Sequence, residues 1–224
     1  MIDQLIIGDK ASFDDFGASV AKRLTPQPKK KSIKETVPYS NITYDYSAID
    51  GELYWEEREL EYVFEMTAPT PEELEEMKAA FADWVMMVFE EDLHDPFIPD
   101  YHFKATYDDM DWEDDEGLEK TTATVKFKAY PYKISNTARK YSHSITPNAT
   151  IDVNVINDSS HKIVPTITAS ADIVIKEGSM SYAVGEGETT DATFTLKKGS
   201  TSLKIQNPNS FVCTVEIAFF EEVM

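Results

Sequence analysis

Glu59-Leu60-Glu61-Tyr62-Val63-Phe64-Glu65-Met66, followed shortly by Thr70-Pro71-Glu72-Glu73, is the stretch on which the fold turns. Leu60, Tyr62, Phe64 and Met66 fall on one side of a period-two pattern and three glutamates on the other, which predicts a half-buried strand. Thr70 then has the chemistry of an N-cap, Pro71 suits the first helical position, and Glu73 stands three residues after the cap. Leu74, Met77, Phe81, Trp84, Val85 and Val88 recur on one stripe of a 3.6-residue period. The helix is expected to run to about Phe89 and to pack that stripe on a sheet. Glu72, Glu73, Glu75 and Glu76 in its first turns suit the positive end of the helix dipole, so these acids need no functional explanation.

Upstream, Leu24-Thr25-Pro26-Gln27-Pro28 excludes helix, because two prolines remove donors and fix φ. The segment after it is expected to be extended. Residues 22 to 34 carry Lys22, Arg23, Lys29, Lys30, Lys31 and Lys34 with no acid. Between this basic arm and the strand lie Val37-Pro38-Tyr39-Ser40-Asn41 and Tyr54-Trp55-Glu56-Glu57-Arg58. Ala11 to Lys22, with Phe13, Phe16, Gly17 and Val20, reads as a short helix or an irregular cap over the sheet.

Downstream, Tyr101, Phe103, Ala105 and Tyr107 alternate, as do Ala123, Val125, Phe127 and Ala129, and the acid run from Asp108 to Glu116 reads as a solvated hairpin loop between them. Pro131 ends the second strand. The polar segment from Tyr132 to Pro147 places the domain boundary, giving domains 1–140 and 141–224. Beyond it, short β-branched runs at 151–155, 163–169, 173–175, 182–184, 193–196, 203–205 and 211–219 are separated by turn residues, the pattern of a β-sandwich. The expected fold class is mainly β with one main helix: an α+β N-terminal domain and a C-terminal sandwich.

Composition narrows the function. The chain has 224 residues, 42% of them apolar, enough for an ordinary core. The start, Met1-Ile2-Asp3-Gln4, lacks the basic and apolar regions of a signal peptide, and the apolar run from Phe81 to Phe89 is too short to span a bilayer. A soluble protein made inside the cell, without membrane insertion, is expected. The net charge of −20 argues against specific nucleic-acid binding, which needs clustered Lys and Arg. Residues 45 to 119 alone hold 26 acids against Arg58, Lys78 and Lys104.

No catalytic, metal or cofactor site is read from the chain. The single cysteine, Cys213, lies on an alternating apolar run and is expected to be buried. Counting an EF-hand from Asp109 or Asp111 puts an acid where glycine must turn and Lys120 or Thr122 where a bidentate Glu belongs. His94, His102, His143 and His161 have no metal-ligand spacing, and GxSxG, Walker A and GxGxxG patterns are absent. Exposed aromatics such as Tyr39, Tyr44, Tyr46, Tyr54 and Trp55 could stack sugars, which keeps a carbohydrate-binding module as an alternative reading.

Taken in order, Val37 to Asn41, Tyr54 to Arg58, the strand to Met66, the Thr70-capped helix with Trp84 and the exit Tyr130-Pro131-Tyr132 resemble the N-terminal domain of distal tail proteins from siphophages of Gram-positive hosts. The remainder, including Gly199 to Ile205 and Thr214 to Phe220, is similar to that family's galectin-like C-terminal sandwich. Many relatives carry a glycine-rich turn where this chain has Tyr39-Ser40-Asn41-Ile42. The resemblance implies a structural virion component at the tail tip, made in the cytoplasm of the host bacterium. It implies a hub whose N-terminal domains (1–140) close into a hexameric ring, single or stacked, around the DNA channel. Its implied partners are further copies of itself, the tail-tube protein, a tail-associated lysin or fibre hub and a receptor-binding protein; no enzyme activity and no cofactor are implied. Candidate contact residues are Lys29, Lys30, Lys31, Lys34, Tyr54, Trp55 and Arg58, the basic arm having an acidic counterpart in residues 45 to 119.

Overall fold

A computed structural model describes residues 3–48, 52–115 and 119–224. Met1 and Ile2 of the N-terminal stretch and Glu116 of the acid run lie outside the described residues. The chain divides into two compact units, one ending at Lys133 and one spanning Ile134–Val223.

In the first unit the strands are β1 (Ile6–Ile7), β2 (Lys10–Ala11), β3 (Ser19–Leu24), β4 (Lys34–Thr36), β5 (Thr43–Asp45) and β6 (Arg58–Thr67). Helix α1 (Pro71–Met86) follows, then β7 (Glu91–His94), β8 (Tyr101–Asp114) and β9 (Lys120–Ala129). The main sheet runs β2-β1-β7-β8-β9-β6-β3. Its centre is the ten-residue antiparallel ladder of β6 on β9, from Arg58 opposite Ala129 to Thr67 opposite Lys120. As the alternation predicts, Leu60, Tyr62, Phe64 and Met66 are buried, and α1 lays Leu74, Phe81 and Val85 over them. Phe81 is fully buried among Phe64, Phe16, Trp84 and Trp112, with ring centroids 5.0 to 6.2 Å away. Burying one such side chain is worth about 1.5–3 kcal/mol.

Thr70 caps α1 as expected, its hydroxyl accepting the Glu73 amide at 3.3 Å. The helix ends at Met86, three residues short of the expected limit. The reason is tertiary: the Val88 carbonyl accepts the Tyr107 amide of β8 at 2.9 Å, and Glu90 turns the chain with a φ of 51°.

Of Ala11 to Lys22, residues 12–16 form an irregular turn whose Phe16 ring packs on Phe81 and Trp84, in keeping with a cap, while Ser19 onward is strand. β2 leads into a turn with Gly17 at φ 68°, and β3 then pairs with β6. Left-handed φ favours glycine there, and a Cβ would sit 2.5 Å from the Met77 methyl. The acid run also departs from the loop reading, because β8 continues through it to Asp114. A β-bulge between Tyr107 and Asp109 adds one residue, so the core-facing set changes from Phe103 and Ala105 to Met110 and Trp112. The alternation broken by that insertion is why the strand looks finished at Tyr107. Asp109 and Asp111 then face Lys126 of β9, at 3.2 and 3.9 Å, while Asp108 meets Lys128 at 2.5 Å and Asp114 meets Lys78 at 2.9 Å.

β10 (Lys133–Ser135) leads to the second unit. There β11 (Arg139–Ile145), β12 (Thr150–Asn157), β13 (Thr166–Ala169), β14 (Ile173–Glu177), β15 (Met180–Val184), β16 (Gly187–Thr190), β17 (Gly199–Gln206) and β18 (Cys213–Phe219) precede the short β19 (Glu222–Val223). They form two four-stranded sheets, β11-β18-β13-β16 and β12-β17-β14-β15, around one apolar core. Cys213 is buried in it, as its flanking alternation predicts. β11 lies inside the polar segment read as the boundary. It is an edge strand whose Arg-Lys-Tyr-Ser-His-Ser residues are mostly exposed, so it carries no apolar signature. The 163–169 run is shortened because Pro165 cannot donate to a ladder, leaving Ile163 a single bridge to Leu196. Around Leu196 the expected strand at 193–196 is replaced by an Asp191 turn, whose carboxylate accepts the Thr193 amide at 2.8 Å. Phe194 and Leu196 are core residues all the same.

Two buried asparagines fasten the loops of this unit. Asn207 donates to the carbonyls of Ile145, Thr146 and Phe211 at 2.8 to 3.2 Å and accepts from the Asn209 amide and the Cys213 thiol. Asn157 donates to the carbonyls of His161 and Leu196 and accepts the Ser159 amide.

Candidate functional site

The basic arm is a β-ribbon. Lys30 bridges Trp55, the Lys31 amide donates to the Tyr54 carbonyl and the Glu56 amide to the Lys29 carbonyl, each at 2.8 Å. Further out β4 pairs with β5, Lys34 opposite Asp45, and the Tyr46 amide donates to the Ile33 carbonyl. Pro38 and Tyr39, the latter at φ 64°, lie in the connecting turn.

Lys29, Lys30, Lys31, Lys34 and Tyr54 are exposed and Trp55 is half-buried. None of the four lysines forms an ion pair among the described residues. None of the described residues from 25 to 57 belongs to the apolar core, and Ile33, Val37, Tyr39, Ile42, Tyr44 and Leu53 stand in solvent along the ribbon. A two-stranded ribbon of this kind is marginal in water on its own.

Arg58 differs from the other six. It is 2% exposed, and its guanidinium donates to the Pro131 carbonyl at 2.9 and 3.1 Å and to Gln27 at 3.3 Å, above the Phe103 ring. Burial pulls its pKa below the usual guanidinium value. Its Nε and Nη2 donors are used inside the subunit, and its burial removes it from the candidate contact surface. The sequence contained the signal: the parity that buries Leu60 and Tyr62 buries Arg58 as well.

Sequence reasoning missed a second polar cluster. Arg23 of β3 holds Asp95 at 2.9 and 3.0 Å, pairs with Asp3, and stacks over Phe97, while the Tyr62 hydroxyl donates to Asp95 at 3.3 Å. Burial lowers the Arg23 pKa, but its two carboxylate partners outweigh it and the net shift is upward; burial also drives Tyr62 well above the ordinary phenol range. These groups are mutually satisfied and tie the N-terminal segment to the β7–β8 turn. His94 and His102 face each other across β7 and β8 with ring centroids 5.2 Å apart. Among the described residues no three His, Cys, Asp or Glu side chains are grouped to hold a metal ion.

On the sandwich, Ser142, Ser144, Thr168, Ser170, Thr214 and Glu216 line a shallow groove on the outer face of β11, β18 and β13. Glu216 is already bound there by Lys140 at 3.0 Å and Ser142 at 2.9 Å, which hold its pKa below the usual carboxylate range.

With this two-unit architecture defined, the chain superimposes on the crystal structure of the SPP1 Dit protein with a TM-score of 0.70, over 98% of this chain and 99% of that one, at 14% identity. The fold is that of SPP1 Dit. That protein is described as a paradigm of the hub adsorption apparatus in phages infecting Gram-positive bacteria. Two structures of the phage p2 baseplate in its activated conformation, with Ca and with Sr, match at 9 and 10% identity over 97 and 98% of this chain and 98% of theirs. Their TM-scores of 0.41 and 0.43 are too low to add to the fold assignment. No protein-family model matches the chain, and no curated protein matches it.

Proposed function

We propose that this protein is a structural component of a phage or prophage tail tip, a ring-shaped hub joining the tail tube to the host-adhesion apparatus. The observation that carries the reading is the fold shared with SPP1 Dit along nearly the whole of both chains. On this reading the first unit forms a homo-hexameric ring, single or stacked, and the second carries the sandwich. The tail-tube protein binds on one side, and a tail-associated lysin or fibre hub and a receptor-binding protein on the other. The protein has no catalytic role and works at the virion tail tip after synthesis in the bacterial cytoplasm.

Lys29, Lys30, Lys31, Lys34, Tyr54 and Trp55 form the contact surface between subunits. Two features support this: β3 ends the main sheet and leads directly into the arm, and the arm has no core of its own. Contacts that run head to tail and close give rings. Light scattering after gel filtration with negative-stain imaging tests the proposal, and closed rings with an open centre are expected. A monomer at every concentration, with no ring on addition of tail-tube protein, rejects it.

A further inference from the structure

The arm continues the β3–β6 ladder across a break. Leu24 faces Glu61 and Lys30 faces Trp55, six residues further along each leg, so the two pairs share one register. From Thr25 to Pro28 no backbone hydrogen bond crosses between the legs among the described residues. Pro26 and Pro28 account for the gap, since neither has an N–H to donate. The break is a joint with room to bend, because an open groove lined by Leu24, Pro26, Glu59 and Asp108 lies beside it.

A buried side chain spans that joint. In the shared register Gln27 stands opposite Arg58, and Arg58 Nη2 donates to Gln27 Oε1 at 3.3 Å and to the Pro131 carbonyl at 2.9 Å. The first bond reaches the root of the arm and the second the chain just past β9, so a single nitrogen ties arm to sheet. The guanidinium is 2% exposed and forms no ion pair with a carboxylate among the described residues. Burying a charge without such a partner is costly, and an apolar side chain of similar volume would fill the site with less penalty. What the arginine adds is direction, because its planar fork constrains the groups it bonds. We infer that Arg58 is the positioning residue of the arm: through Gln27 it fixes the direction in which the ribbon leaves the sheet, and with it the rotation from one copy to the next. Head-to-tail contacts close into a ring when that rotation closes and run on as open chains when it does not. The inference rests on the ring reading, and it needs no contact between Arg58 and a neighbouring copy.

The test places nitroxide labels on Tyr44→Cys in the arm and Met86→Cys in α1, both exposed positions, in the full chain whose native Cys213 is buried. Labelled protein is diluted into an excess of unlabelled chain, and the distance distribution is recorded by pulsed electron spin resonance. The doubly labelled parent gives one narrow peak. Gln27→Leu, a change at an exposed position that removes only the acceptor, broadens the peak with the melting curve unchanged and turns uniform rings into open or mixed assemblies. Gln27→Glu supplies an acceptor again and restores both the narrow peak and the uniform rings, which a general perturbation of the surface would not do. An unchanged distribution in Gln27→Leu overturns the role of Arg58 and leaves the ring reading intact. Broadening with rings still uniform overturns the link from arm direction to assembly. A parent that stays monomeric with and without tail-tube protein overturns the ring reading, and the distance distribution then still decides whether Arg58 holds the arm.

Discussion

Single residues in this protein do structural work that their chemistry disguises. Arg58 in a sequence suggests a surface, yet here a buried guanidinium supplies the donors that the Pro131 carbonyl needs. Asn207 plays the same part in the sandwich, joining three loop carbonyls. Asn207→Ala leaves those acceptors with one fewer partner and is expected to cost about 2–4 kcal/mol, measured as a shift of the urea midpoint. His94 gives a pH signature. Burial, reinforced by His102, lowers its pKa from the ordinary value of 6.5, so below that pH the unfolded chain takes up its proton first. The stability tied to neutral His94 is complete above about pH 6.5 and declines as the pH falls toward the folded-state value. Denaturation curves at pH 7.5 and 5.5 should show a smaller pH dependence in His94→Gln than in the parent. An unchanged slope would mean that the imidazole is solvated in the fold.

Elements obey local rules until a long-range bond intervenes. α1 begins where its cap and proline say, and Thr70→Ala is expected to cost about 1 kcal/mol in a thermal melt, with helical circular dichroism retained below the transition. Its end is set from outside, by the hydrogen bond that Tyr107 donates to the Val88 carbonyl. β8 shows the same division. Its first half is legible as alternation, while its second half is hidden by a bulge that moves the core-facing positions from odd to even numbers. The edge strand β11 was illegible for a different reason: with one neighbour and a solvated face, it sends only Tyr141 against the core before Ile145.

At the scale of the whole molecule, charge is spread unevenly along the chain. Each chain carries −20, yet the arm concentrates four lysines that form no ion pair among the described residues, Lys34 and Lys30 acting only at longer range on Asp45. Replacing Lys29, Lys30, Lys31 and Lys34 together by Glu should weaken assembly, most at low salt where the screening length exceeds about 10 Å. The melt of the subunit should not change, because the core is untouched. Assembly that survives the fourfold change would make the arm a solvated loop. The summed negative charge of a ring should also repel DNA, and no shift of duplex is expected in a mobility assay at low salt. Tight binding there would point to arm lysines facing the lumen.

Periodicity and capping were enough to place the β6–α1 unit, the two hairpin strands and most of the sandwich, because those signals come from side chains that must alternate or recur to reach a core. The basic arm was equally visible as composition. Tertiary structure alone decided where α1 stops, that the acid run is strand and that Ala11 to Lys22 contributes β3. Each of these depends on a partner distant in sequence: the Tyr107 amide, lysines at 126 and 128, and the edge of β6. Local chemistry sets what a segment can become, and the free energy of satisfying a remote hydrogen bond or ion pair selects among those forms.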